Sequence, residues 1–216
     1  FETERFLTWK ERYVADINRE NQLYAKIVRS IHGHAKIINI DISDALTVDG
    51  VCGIYVEDDL AKDGVGPLPC TTKFVAEQPL VVAERYALAR DKVRYVGDPV
   101  ALVLAETEMA AQEAAELVLV DYEALPVLVS PVNSMQDGSP LIWSNAPKNI
   151  AYRFKKGEKE STAAAFDGAA HVVELDIENN RVMALPIEPR AGIGEYDPKN
   201  DVMRLICTAQ GVHAIR

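Results

Sequence analysis

The sequence predicts a globular fold of mixed helix and strand, α/β or α+β, and three observations point there. Hydrophobic residues make up 48% and charged residues 26% of the 216 positions, a balance that lets the chain bury a core. The apolar residues fall in short runs of strand length bounded by Gly, Pro, Asn and Asp. One stretch, residues 93–123, reads as strand, helix and strand in succession.

The elements follow in order. Residues 23–28 read as a half-buried strand and, after the turn His32-Gly33-His34, residues 36–40 as a second. Asp41 is placed to cap a short helix over 43–46, and Asp49-Gly50 turns the chain into a strand over 51–56. Residues 63–70 read as loop, because glycine and proline crowd between Gly64 and Pro67. After Val93-Arg94-Tyr95 and the turn Gly97-Asp98-Pro99, residues 100–105 form a continuous apolar strand. Thr107 then caps a helix with Ala110, Ala111, Ala114, Ala115 and Val118 on one face and Glu108, Gln112 and Glu116 on the other. Residues 119–123 return as a strand. From 130 to 161, prolines, Asn133, Asn145, Asn149 and a charged run over 155–160 read as a connector. Beyond it, residues 171–176 and 202–207 read as paired strands of a second domain, left unfinished at Arg216.

Composition narrows the function classes. Lys and Arg number 23 against 33 Asp and Glu, a net charge of −10. Without a basic block to track phosphates, nucleic acid is not an expected partner. The longest apolar runs, such as residues 99–105, fall far short of the roughly 20 residues that span a bilayer. The chain opens on Phe1, followed by charged residues rather than a secretory signal, so either a start is missing or this is a processed piece. Cys52, Cys70 and Cys207 are odd in number and form no C-x-x-C pair, which argues against a disulfide framework, an iron–sulfur cluster or structural zinc. They are expected as reduced thiols of a cytoplasmic protein.

Candidate chemistry is sparse. Glycine-rich phosphate loops and the G-x-S-x-G elbow are absent. His32 and His34 stand two apart, which on a strand puts both on one face; a metal site and a structural pair are both open, and the lack of a nearby third ligand favours the structural one. Cys207, in an apolar strand without a basic neighbour, reads as a small hydrophobe. The carboxylates of Asp121, Glu123 and the helix 108–116 read as a solvated face. In Pro186-Ile187-Glu188-Pro189-Arg190, two prolines fix the backbone around a carboxylate and a guanidinium, which suits either a positioned polar pair or a structural ion pair. In Thr208-Ala209-Gln210-Gly211-Val212-His213, Gln210 follows a strand tip, a place for ligand contacts or for an exposed loop residue.

The run Tyr95-Val96-Gly97-Asp98-Pro99-Val100-Ala101, with Ala114-Ala115-Glu116-Leu117-Val118 and Val120-Asp121-Tyr122-Glu123-Ala124-Leu125-Pro126, resembles the N-terminal a/b hammerhead domain of the xanthine dehydrogenase and aldehyde oxidase family. Arg12-Tyr13-Val14-Ala15-Asp16-Ile17 and Arg29-Ser30-Ile31-His32-Gly33-His34-Ala35 resemble its opening motifs. Residues 180–190 and 208–216 resemble the start of its molybdopterin-binding domain. Several separated motifs in the right order are far more specific than any one of them.

The resemblance implies an α+β hammerhead domain over 21–132, after an N-terminal extension over 1–20 and before a linker over 133–161 and the incomplete start of an α+β molybdopterin-binding domain over 162–216. It implies the large subunit of a molybdenum hydroxylase of the carbon monoxide dehydrogenase or aldehyde dehydrogenase type, oxidising aldehydes, N-heterocycles or carbon monoxide with oxygen from water. The family's cofactors would be molybdenum–molybdopterin on this subunit, with [2Fe–2S] clusters on a small iron–sulfur subunit and FAD on a medium subunit, since three cysteines cannot hold the clusters. By position, Gln210 matches the family glutamine that hydrogen-bonds an oxo ligand of molybdenum. The family's Gly-Gly-x-Phe-Gly loop and general-base glutamate lie beyond residue 216, so no catalytic residue is expected within the chain, and the chain alone is expected to be inactive. Departures are Trp9-Lys10-Glu11 in place of Gly-x-Gly, Ile31 in place of proline, and Gly211-Val212 in place of Gly-Pro. The alternative is a non-catalytic hammerhead module that docks other subunits. Protease sensitivity is expected after about residue 130.

Overall fold

The computed structural model describes residues 2–8, 12–70, 80–209 and 211. In chain order it contains α1 (Glu2–Leu7), β1 (Tyr24–Arg29), β2 (Ala35–Asp41), β3 (Val51–Tyr55), α2 (Glu57–Lys62), β4 (Lys92–Val93), β5 (Pro99–Ala105), α3 (Glu108–Leu117), β6 (Leu119–Ala124), α4 (Pro131–Ser134), α5 (Lys159–Asp167), β7 (Gly192–Asp197) and β8 (Val202–Cys207). Contacts divide the chain into two units, Leu23–Gly168 and Phe1–Gln22 with Ala169–Arg216.

In the Leu23–Gly168 unit, β5 is the central strand between β1 and β3, and β2 is central between β4 and β6. Every pairing is antiparallel. Although β5, α3 and β6 follow one another in the chain, the two strands lie in different sheets. The unit is therefore α+β, and its strand–helix–strand succession is no parallel crossover. Strand β5 is apolar throughout because it is buried at Val100, Ala101, Val103 and Ala105. Helix α3 covers it with a face of small residues: Ala114 packs with Ala101, Val103, Ile54 and Val118, while Ala110 and Ala111 pack with Ala105. Thr107 starts the helix, its Oγ1 accepting the Ala110 N–H at 3.1 Å. Thr107→Ala removes that cap and is expected to cost about 1 kcal/mol in chemical denaturation.

The turn before β5 positions the neighbouring segments. Gly97 has φ of 92°, a left-handed conformation suited to glycine. Its N–H donates to Ser30 O at 2.8 Å, and the Ser30 N–H donates to Asp98 O at 2.9 Å. The Asp98 carboxylate accepts the Arg94 N–H at 2.9 Å and closes the turn.

Two local readings change in this unit. Asp41 Oδ1 accepts the Ser43 N–H at 2.9 Å, a local turn that competes with a helix start, and a single 3-10 turn over Ala45–Thr47 follows in place of a short helix. Within the stretch read as connector, α5 begins inside the charged run. Ser161 and Thr162 hydroxyls bond the Glu158 carbonyl, and Ala163-Ala164-Ala165 add strong helix propensity that outweighs the flanking charges. Asn149 binds that stretch together: its Oδ1 accepts the Ile142 N–H at 2.9 Å and its Nδ2 donates to Ser134 O and Pro140 O at 2.9 and 3.0 Å.

In the other unit, β7 and β8 form an antiparallel hairpin in which Gly192 pairs with Cys207 and Asp197 with Val202. This corrects the expected pairing of 171–176 with 202–207. A four-residue turn brings β7 to β8 at low loop-closure cost, whereas 171–176 has no strand partner among the described residues, and Val173 is 84% exposed. The glycines at 192 and 194 hid β7 from a hydrophobic pattern. The Val14 N–H donates to Glu188 Oε1 at 3.1 Å, and Glu195 is ion-paired by both Arg19 and Arg204.

No described residue between 169 and 209 is buried. Trypsin is therefore expected to cut first at Arg181 or Arg190, leaving a product that retains the 142–151 segment, which is hydrogen-bonded to Val81, Val82 and Arg94. Mass spectrometry of the first products checks this, and earlier cleavage near residue 130 would contradict it.

Candidate functional site

Gln210, the residue singled out for cofactor contact, lies outside the described residues, as do Trp9, Lys10, Glu11 and Val212. Its neighbours Thr208, Ala209 and Gly211 are exposed. Among the described residues no three His, Cys, Asp or Glu side chains come together to hold a metal. Nor does a buried, unpartnered polar atom occur among the described residues of the β7–β8 unit. These described residues do not by themselves form a cradle for a molybdenum–pterin group.

The other sequence candidates resolve into structural roles. Glu188 anchors the turn at Val14, and no ion pair joins it to Arg190 among the described residues. His34 is buried; its Nδ1 lies 2.9 Å from Pro126 O, which makes Nδ1 the protonated nitrogen, while Nε2 has no partner. The His32 ring packs against Tyr122, its centroid 4.8 Å away. The pair is a structural one. Glu123 is ion-paired to Lys36 at 2.9 Å, consistent with a solvated face. Cys207 is half-buried in β8, and Cys52 and Cys70 are exposed free thiols.

The Arg19 and Arg204 guanidiniums beside Glu195 hold its carboxyl below the usual range, Arg19 contributing most. A lowered carboxyl pKa contributes stability that is present above the ordinary carboxylate value and is lost as pH falls through the lowered one, on the acid side of the ordinary carboxylate range. The Glu195 carboxyl resonance is expected to titrate below the ordinary carboxylate range and to move up in Arg19→Gln.

Sequence reading missed a cationic cleft of about 500 Å³ in the Leu23–Gly168 unit, between residues 84–99 and Ile142-Trp143. Arg85, Arg90, Lys92 and Arg94 line it with Tyr86 and Trp143. Glu57, at the first turn of α2, neutralises Arg90: Nε donates to Oε2 at 2.8 Å and Nη2 lies 2.6 Å from Oε1, angled outside hydrogen-bond geometry. Arg90 also stacks on Tyr86 at 4.2 Å. Arg94 lies 3.8 Å over the Trp143 ring, with Nε donating to Ile142 O and Nη1 to Lys92 O. Burial pushes the Arg94 guanidinium down from its ordinary pKa, against the attraction of Asp98. The available signal was four cations and two tyrosines within residues 85–95 of an acidic chain.

Comparison with known proteins gives two family matches. Residues 8–126 match the model for the aldehyde oxidase and xanthine dehydrogenase a/b hammerhead domain, and residues 142–216 match the molybdopterin cofactor-binding domain. The nicotine 6-hydroxylase large subunit of Paenarthrobacter nicotinovorans is 34% identical over 100% of this chain and 26% of that protein. The carbon monoxide dehydrogenase large chain of Afipia carboxidovorans is 32% identical over 98% of this chain and 27% of its own length. The crystal structure of Cu,Mo-CO dehydrogenase in its carbon monoxide reduced state superposes with a TM-score of 0.83 at 31% identity, covering 99% of this chain and 27% of that one. The chain thus spans about a quarter of the length of the curated relatives it matches. Among the described residues no helix is long and apolar enough to cross a membrane.

Proposed function

The chain belongs to the aldehyde oxidase and xanthine dehydrogenase family, and from that premise we propose that it is the N-terminal part of a molybdenum hydroxylase large subunit, an oxidoreductase. The observation that carries this is the continuity of the two matches: a hammerhead domain runs into a molybdopterin cofactor-binding domain in one polypeptide. A docking module without chemistry would not need the second. The substrate class we assign is an aldehyde, an N-heterocycle or carbon monoxide, with the added oxygen drawn from water.

The relatives' names, large subunit and large chain, support a multi-subunit complex. We assign it a small subunit carrying [2Fe–2S] clusters and a medium subunit carrying FAD, because the three cysteines of this chain do not suffice for the clusters. The free thiols suit a cytoplasmic setting. Gln210 is the residue of this chain that we place beside the cofactor.

The test is to produce the protein with any sequence that follows residue 216, together with its partner subunits, and to measure molybdenum content and product labelling in H2(18O). Stoichiometric molybdenum with 18O in a hydroxylated product is expected for an aldehyde or heterocycle substrate, and 18O in carbon dioxide for carbon monoxide. A folded complex without molybdenum would overturn the reading in favour of the docking module.

A further inference from the structure

We propose that the cleft around Arg94 binds a small aromatic monocarboxylate. Arg94 is half-buried, and its hydrogen bonds to the Ile142 and Lys92 carbonyls, with the Trp143 ring beneath, hold its guanidinium plane in place. Those contacts orient the group but bring no negative charge. Among the described residues no carboxylate is ion-paired to the Arg94 or Lys92 side chain, whereas Arg90 in the same wall is matched by Glu57. A half-buried guanidinium that Asp98 and Asp91 attract across space, with neither ion-paired to it, gains from an incoming carboxylate, whose two oxygens fit its planar fork.

The remaining walls select the rest of the ligand. Leu68, Pro99 and Ile142 are apolar and Tyr86 and Tyr95 aromatic, which suits an organic ring. The wall also holds two carboxylates: Asp98 accepts the Arg94 N–H, and Glu84 accepts the Tyr86 hydroxyl at 3.1 Å. Their fixed negative charge disfavours a phosphate dianion and leaves room for one negative charge. A volume of about 500 Å³ is of the size that encloses a small organic ligand.

The full chain is titrated calorimetrically with 1-naphthoate and with its uncharged analogue 1-naphthamide. Saturable binding of the naphthoate is expected, at least about tenfold tighter than the amide, as one charge-assisted hydrogen-bonded contact provides. Lys92→Gln, on a side chain with no ion pair among the described residues, is expected to weaken the acid several-fold and leave the amide unchanged. Arg94→Lys keeps the charge but loses the fork, and is expected to remove most of the preference for the acid. Because Arg94 also bonds two carbonyls, each variant is first checked for native circular dichroism, and Lys92→Gln alone decides if Arg94→Lys fails to fold. Equal affinity for acid and amide, no saturable binding, or an undiminished preference in folded variants overturns the proposal.

Discussion

Glu57→Ala is expected to lower the stability of the Leu23–Gly168 unit by about 2–3 kcal/mol, a fall in Tm of roughly 5–10 °C. The Glu57 side chain is only 5% exposed, and it faces the Arg90 guanidinium through two close contacts. Removing the carboxylate leaves that cation without its counter-charge and opens a gap at the first turn of α2, where a negative charge also favours the helix dipole. Breaking a fully buried pair typically costs about 3–5 kcal/mol. Arg90 is 39% exposed and keeps its bond to the Tyr86 hydroxyl, so water recovers part of that loss and the lower figure applies. Arg90→Ala and two double variants separate pairing from packing. Arg90→Ala with Glu57→Ala is expected to cost less than the sum of the single changes, and Glu57→Leu with Arg90→Met to recover most of the stability, as a replaced ion pair often does. Urea unfolding of the wild type, the two single alanine variants and the two double variants measures this, and additive single changes would mean that the pair contributes no coupling.

That pair was not legible in the sequence, because Glu57 and Arg90 are 33 residues apart and nothing local marks either as buried. What was legible is what local physics decides. The apolar run of β5, the threonine cap and alanine face of α3, and the glycine turn at Gly97 each stand where the sequence places them, since each depends on neighbours a few residues away. Pairing was less accessible. The order β1-β5-β3 beside β4-β2-β6 requires long-range choices, and the β7–β8 hairpin escaped notice because its first strand carries two glycines in place of an apolar alternation. The family came from ordered motifs rather than from periodicity. The cleft was missed because nothing in the local pattern around Arg85, Arg90, Lys92 and Arg94 shows that they share one space. Only the return of Ile142 and Trp143 makes them walls of one space.

Gln210→Ala, made in the complete large subunit, is expected to lower turnover by at least about tenfold while leaving molybdenum content and subunit assembly unchanged. The assignment rests on position in the family motif, three residues past Cys207 where β8 ends. An amide suits a place beside a metal cofactor because it offers both donors and an acceptor without adding charge, so it can fix a neighbouring group's orientation without disturbing the electrostatics of the centre. Loss of one preorganised donor in such surroundings typically costs about 10–1,000-fold. Gln210→Glu has nearly the same shape but adds a negative charge, and is expected to lower turnover as well and to shift the molybdenum reduction potential downwards. Gln210→Asn, shorter by one methylene, tests reach alone and should retain folding and cofactor content. An exposed turn glutamine predicts wild-type rates and an unchanged potential for all three. Steady-state rates paired with the potential measured on cofactor-replete protein therefore separate a residue at the cofactor from one on the surface, and unchanged values in all three variants would remove Gln210 from the site.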